Sequence, residues 1–174
     1  CALNGAYIKN GTFTMTGGTI KDNAGAVVAL SAEDSDHATF TMSGGEITGN
    51  TIGVLVSENG SSNPGGNVFR LKGSPRILGN VSKDVACNVK LEGDALIHII
   101  GQLQKPVGAV EPQIGVTKST NGTDVVFTKD YTTYNQGVDP AVFFKSDTAT
   151  VKLFDQARNA FVCWHGGENA DGTG

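Results

Sequence analysis

The sequence predicts an all-β protein: a right-handed parallel β-helix, or solenoid, of about four coils, closed by an irregular C-terminal capping region. Three observations carry that expectation. A motif recurs, FTMTGGTIKDN at residues 13–23 returning as FTMSGGEITGN at 40–50 and, more loosely, as FRLKGSPRILGN at 69–80. The period is short, with Phe13, Phe40 and Phe69 separated by 27 and 29 residues. Each copy is made of strand-forming residues punctuated by glycine. A fixed period of roughly 20–50 residues marks architectures in which one unit cannot bury its own apolar face and stacks on its neighbours to do so.

Within a copy, FTM alternates, so Phe13 and Met15 face one way and Thr14 and Thr16 the other. A glycine pair then breaks the strand and supplies positive φ at a corner. A second short strand centres on Ile20, Ile47 or Ile77 and ends at Asn23, Asn50 or Asn80. A third apolar run follows, GAVVAL at 25–30 and TIGVLVS at 51–57. Three strands and three corners make one coil. Glycine pairs and β-branched residues exclude a helical repeat. A propeller blade, with four strands in about 40 residues or more, does not fit the period.

Stacking coils places like on like. The expectation is an internal aromatic column of Phe13, Phe40 and Phe69, an aliphatic column of Ile20, Ile47 and Ile77, and a corner column of Asn23, Asn50 and Asn80. Asn suits a corner for two reasons. It tolerates left-handed backbone, and its amide both donates and accepts between coils. LNGAYIKN at 3–10 reads as a truncated copy of the repeat.

FTMSGGEITGN and FTMTGGTIKDN resemble the repeats of bacterial cell-surface β-helix proteins of the pectin-lyase-like adhesin class. They are also similar to the GGxI repeats of the polymorphic outer-membrane protein family, although FTMT and FTMS lack the Asn of that family's second signature. The resemblance spans about residues 3–89, half of the chain. It implies extracellular or cell-surface display and adhesive roles, with host or microbial glycans or surface proteins as partners.

Beyond Asn80 the repeat fades. Residues 85–91 and 95–103 read as strands of a degenerate coil. Pro106, Pro112 and the Asn121-Gly122 turn change the texture. VVFTKDY, ATVKLFD and NAFVCWH read as further strands, and DPAVFFKSD as a short helix or corner. The division is 1–103 for the repeat coils, 104–165 for C-terminal coils and cap, and 166–174, GGENADGTG, for a flexible linker or tail.

Composition narrows the function. Of 174 residues, 24 are Gly and only 17% are charged, so polarity comes from Ser, Thr and Asn. The net charge is −4 and no basic run interleaves with aromatics, which argues against nucleic acid. The longest apolar runs, such as residues 26–30, are too short to cross a membrane as a helix. The chain opens at Cys1 without a Met and reads as a mature or excised piece of a longer chain. Cys1 is then a boundary or a modified N-terminus. Cys87 and Cys163 read as small buried thiols, with a bridge between them as the alternative.

Chemistry-bearing residues are sparse. Glu33, Asp34 and Asp36 in SAEDSDH are weak candidates for a cation but lack the spacing and glycine of an EF-hand loop. His37, His98 and His165 are scattered, and no nucleophile elbow, phosphate loop or HExxH occurs. Sequons begin at Asn10, Asn59, Asn80 and Asn121, of which Asn80 is already assigned to the corner column. A glycosidase needs two carboxyls about 5–10 Å apart, and Asp22 and Glu46 do not occupy matching positions. Thr14 and Thr41 stack, but the third copy brings Arg70 and Lys72. The expectation is a non-enzymatic adhesin or stalk without catalytic residues, metal or cofactor. A carbohydrate-active β-helix enzyme, lyase or hydrolase, or its remnant, is the alternative.

Overall fold

The computed structural model describes residues 5–30, 37–57, 66–118 and 125–147, together with the backbone of 161–162. It is a parallel β-solenoid of about four turns. The first coil is β1 (Ala6–Ile8), β2 (Gly11–Met15) and β3 (Thr19–Lys21). The second is β4 (Ala26–Leu30), β5 (Ala38–Met42) and β6 (Glu46–Thr48). The third is β7 (Ile52–Val56), β8 (Asn67–Gly73) and β9 (Arg76–Ile77). A small antiparallel hairpin, β10 (Val81–Ser82) with β11 (Val85–Ala86), then leaves the coil. The fourth coil is β12 (Val89–Leu91), β13 (Ile97–Leu103) and β14 (Ile114–Lys118).

Three walls result. Phe13 pairs with Phe40, Phe40 with Phe69, and Phe69 with Ile97. Ile20 pairs with Ile47, Ile47 with Ile77, and Ile77 with Ile114. On the third wall Val28, Val54, Val89 and Val116 lie in one row. The rings of Phe13, Phe40 and Phe69 are stacked, with centroids 5.3 and 5.1 Å apart. Phe40, Phe69, Ile47 and Ile77 are fully buried, while Phe13 and Ile20, in the first coil, are half-buried.

Several details refine or depart from the sequence reading. The corner asparagines are not left-handed. Positive φ falls on the residue before each, at Asp22 (59°), Gly49 (66°) and Gly79 (72°). Left-handed backbone there turns the chain, and the asparagine that follows is free to aim its amide along the stack. At the other corner only the second glycine of each pair, Gly18 or Gly45, is left-handed, as is the lone Gly73 of the third copy. The truncated copy expected at the start supplies a third-wall strand: Ile8 pairs with Leu30, so β1 stacks on the GAVVAL run. Residues 85–91 are not one strand, because the hairpin ends at Ala86 and Asn88 turns a corner into β12.

The C-terminal part continues the same geometry with shorter pieces. β15 (Val125–Val126) pairs antiparallel with β18 (Phe161–Val162), and β16 (Thr128–Lys129) pairs with β13. The expected VVFTKDY strand therefore stops at Lys129, and Tyr131 opens α1 (Tyr131–Tyr134). DPAVFFKSD becomes a 3-10 turn, Pro140–Val142, capped by the Asp139 carboxylate (2.7 Å from the Ala141 N–H), and then β17 (Phe144–Ser146). Asn135 accepts from the Leu103 N–H (2.8 Å) and ties α1 to the end of β13. Phe127, Tyr131 and Phe144 meet edge to face within this further layer.

Candidate functional site

Two arrays of polar side chains run along the solenoid, one inside and one outside. The inner array begins at the expected asparagine corner. Asn23 donates its backbone N–H and its Nδ2 to Oδ1 of Asn50, both at 3.0 Å. Asn50 does the same to Asn80 (3.1 and 2.8 Å), and Asn80 to Asn88 (3.0 and 3.1 Å). Asn88 gives its N–H and Nδ2 to the two carboxylate oxygens of Asp147 (2.7 and 2.6 Å). Asn50, Asn80 and Asn88 are buried. The remaining Nδ2 protons reach corner carbonyls, Thr48 and Ile20 from Asn50, Ile47 and Leu78 from Asn80. Corner backbone groups that strand pairing leaves open are thus satisfied from the side chains.

Asn88 and Asp147 were not foreseen in this array. Asn88 lies only 8 residues after Asn80, not a full period. The hairpin between them carries the chain out and back. In the next coil β14 runs straight through the corner, pairing with β9 at its start and β12 at its end. Gly115 stands there, and a Cβ on it would collide with Asn88 Nδ2 and Asp147 Oδ1. The absent side chain leaves the room those two groups occupy. Asn followed by a strand, CNVKL like GNTIG, is the only trace of this in the sequence.

Outside this corner is an open groove of about 360 Å³, lined by Asp22, Asn23, Gly49, Asn50, Gly79 and Val81 among others. Its hollow follows from the left-handed glycines. A Cβ at Gly49 would lie 2.8 Å from Asp22 Oδ1. The groove is a consequence of the turn and gathers no set of reactive groups.

The outer array lies on the first wall. Thr14, Thr41, Arg70, His98 and Lys129 occupy one row across five adjacent strands. Arg70 and Lys129 are exposed and His98 is half-buried. Lys72 lies beside this row. β13 shifts register between Ile99 and Leu103, and a Cβ on Gly101 would come within 3.0 Å of the Lys72 side chain, which runs across it. Burial holds His98 below its ordinary pKa of 6.5, with Lys129 and then Arg70 pushing the same way and Asp130 opposing them.

The carboxylates are largely engaged. Glu46 pairs with Arg76 and Glu92 with Lys90 (2.8 Å), while Asp147 also accepts from Thr117 Oγ1 (3.1 Å). Asp22 lies 3.6 Å from Lys21 Nζ. Cys87 is buried with a free thiol, its pKa raised by burial and by the Asp147 carboxylate, and lowered by Lys90. Glu33, Asp34, Asp36, Cys1, Cys163, His165, Asn59, Asn121 and residues 166–174 lie outside the described residues. Among the described residues no helix is long and apolar enough to cross a membrane.

No family model, curated protein or solved structure matches the chain.

Proposed function

We propose that this chain is a non-enzymatic β-solenoid segment of a larger secreted or cell-wall-attached bacterial protein, serving as an adhesin or structural stalk at the cell surface. The observation that supports this reading is the asparagine ladder. The buried corner asparagines bond to one another, and they end on a carboxylate that is itself fully engaged. Polar chemistry is thereby spent on locking coil to coil. A stalk needs that rigidity, and an adhesin needs the outer strand faces held at fixed spacing. Glycans are the ligand class that an outer wall of threonine hydroxyls and cations suits.

Incubation with pectin, mucin glycans and glycosaminoglycans tests the reading, with the larger parent protein beside this chain on the same glycan array. Retention of glycan without new reducing ends or unsaturated products is the expected result. Time-dependent release of either product overturns it in favour of a hydrolase or lyase.

A further inference from the structure

The outer row of the first wall holds a charge pattern the fold does not need. Its first two positions, Thr14 and Thr41, show that an uncharged β-branched residue satisfies the site. The next three are Arg70, His98 and Lys129, directly opposite one another on neighbouring strands. Arg70 and Lys129 flank His98 on either side, and both disfavour its protonated form. Among the described residues neither Arg70, Lys72 nor Lys129 forms an ion pair. By contrast, Arg76, on the second wall, is paired with Glu46 one coil away. Among the described residues, only Asp130 sets a carboxylate against His98.

We infer that the row Arg70–His98–Lys129, flanked by Lys72, is a binding face for an anionic polysaccharide, one carrying carboxylates or sulfates along its length, laid parallel to the solenoid axis. The inference rests on the adhesin reading above and names its ligand class. Adjacent strands are about 4.8 Å apart, so Arg70 and Lys129, two strands apart on either side of His98, stand about 10 Å apart along the path of a polymer that follows the stack. Threonine hydroxyls at Thr14 and Thr41 continue the same row beyond the cations.

Two competing partners fit less well. Single-stranded nucleic acid binds on aromatic platforms, and the outward positions of β2, β5, β8, β13 and β16 contain no Phe, Tyr or Trp. An acidic protein partner needs an apolar centre to its interface. Among the described residues the most exposed large apolar side chains, Val107 and Val110, lie off this wall in the 104–113 connection.

His98 gives the face a pH signature. Lys129, Arg70 and Asp130, on the two strands beside β13, are the charged groups that act on it. A bound anion offsets the repulsion from Arg70 and Lys129, so His98 takes up a proton on binding. Affinity therefore rises as pH falls through the His98 titration, while a polymer without anions shows no such slope.

The experiment measures binding of heparin, polygalacturonate and a neutral polymer, dextran, to the whole chain by calorimetry. The variants are Arg70→Thr, Lys129→Thr and both together, which extend the existing threonine row, and each is checked by thermal melting. Saturable binding of heparin or polygalacturonate but not dextran is expected, with affinity falling on the order of tenfold between about 50 and about 200 mM salt. The double variant should melt no lower than the parent and bind about tenfold more weakly. A folded double variant that binds as well as the parent overturns the assignment of this face. Equal binding of dextran, or tighter binding of an acidic peptide or of single-stranded DNA, overturns the ligand class. Binding to none of the polymers overturns the inference, and the stalk reading then stands or falls on the product-release assay alone.

Discussion

Asn88 donates its backbone N–H and its side-chain amide to the two carboxylate oxygens of Asp147, 59 residues further along the chain. This pair ends a ladder in which every rung gives two hydrogen bonds in the same direction, toward the C-terminal end. The final rung has donors arriving at both oxygens, together with the Thr117 hydroxyl. A carboxylate, which only accepts, answers all three. An asparagine at the end would bring an NH₂ against donors.

Asp147→Asn is therefore expected to destabilise, although it is nearly isosteric and removes a charge. The loss should be about 1–3 kcal/mol, the cost of leaving a partly buried donor facing donors. Urea unfolding of the variant beside the parent measures it. Equal midpoints would mean that the carboxylate is not the acceptor at the end of the ladder.

The interior of the ladder makes the opposite demand. Asn50 Nδ2 donates to Thr48, Ile20 and Asn80 oxygens. Asn50→Asp places a carboxylate oxygen among those acceptors. The expected cost at neutral pH is about 3 kcal/mol or more, with partial recovery in acid as the carboxyl protonates. Melting temperatures at about pH 7 and pH 4 would show a gap to the parent that narrows at the lower pH.

Phe40 is stacked on both sides, by Phe13 and Phe69, and is wholly buried. Phe40→Ala should cost about 3–5 kcal/mol. Phe13→Ala should cost clearly less, because Phe13 is half-buried in the first coil and is stacked on one ring only. Chemical denaturation of the two variants gives that order, and a reversed order would contradict the stacking.

His98 links the outer row to stability. Its pKa in the folded chain lies below 6.5, whereas the unfolded chain titrates near the ordinary value. Between the two, the unfolded state binds more protons, so stability rises with pH. The full contribution is present above pH 6.5 and is lost as the pH falls through the folded-state pKa. His98→Gln should flatten this part of the stability profile. A melting curve series across the window, run in both proteins, shows whether the slope disappears.

The sequence by itself determined the periodic part of this protein. Phe13, Phe40 and Phe69 recur in matching contexts, and so do the isoleucines and asparagines. Equal spacing in a strand-rich repeat permits few arrangements except stacking, so the columns and the asparagine corner are legible in the sequence. What the sequence could not show is where periodicity ends and space takes over. Asn88 is out of period, Asp147 lies 59 residues beyond it, and Gly115 matters only for the side chain it lacks. The left-handed residue at the corner shifted by one position, to Asp22, Gly49 and Gly79, because only the folded turn reveals which of two neighbouring residues reverses the chain. Likewise Arg70, His98 and Lys129 are separated by unequal intervals, and register across β8, β13 and β16 is what makes them one row. Local repetition encodes which residues must be stacked. The tertiary structure decides which residues outside the repeat are brought against that stack, because hydrogen bonding and charge act through space rather than along the chain.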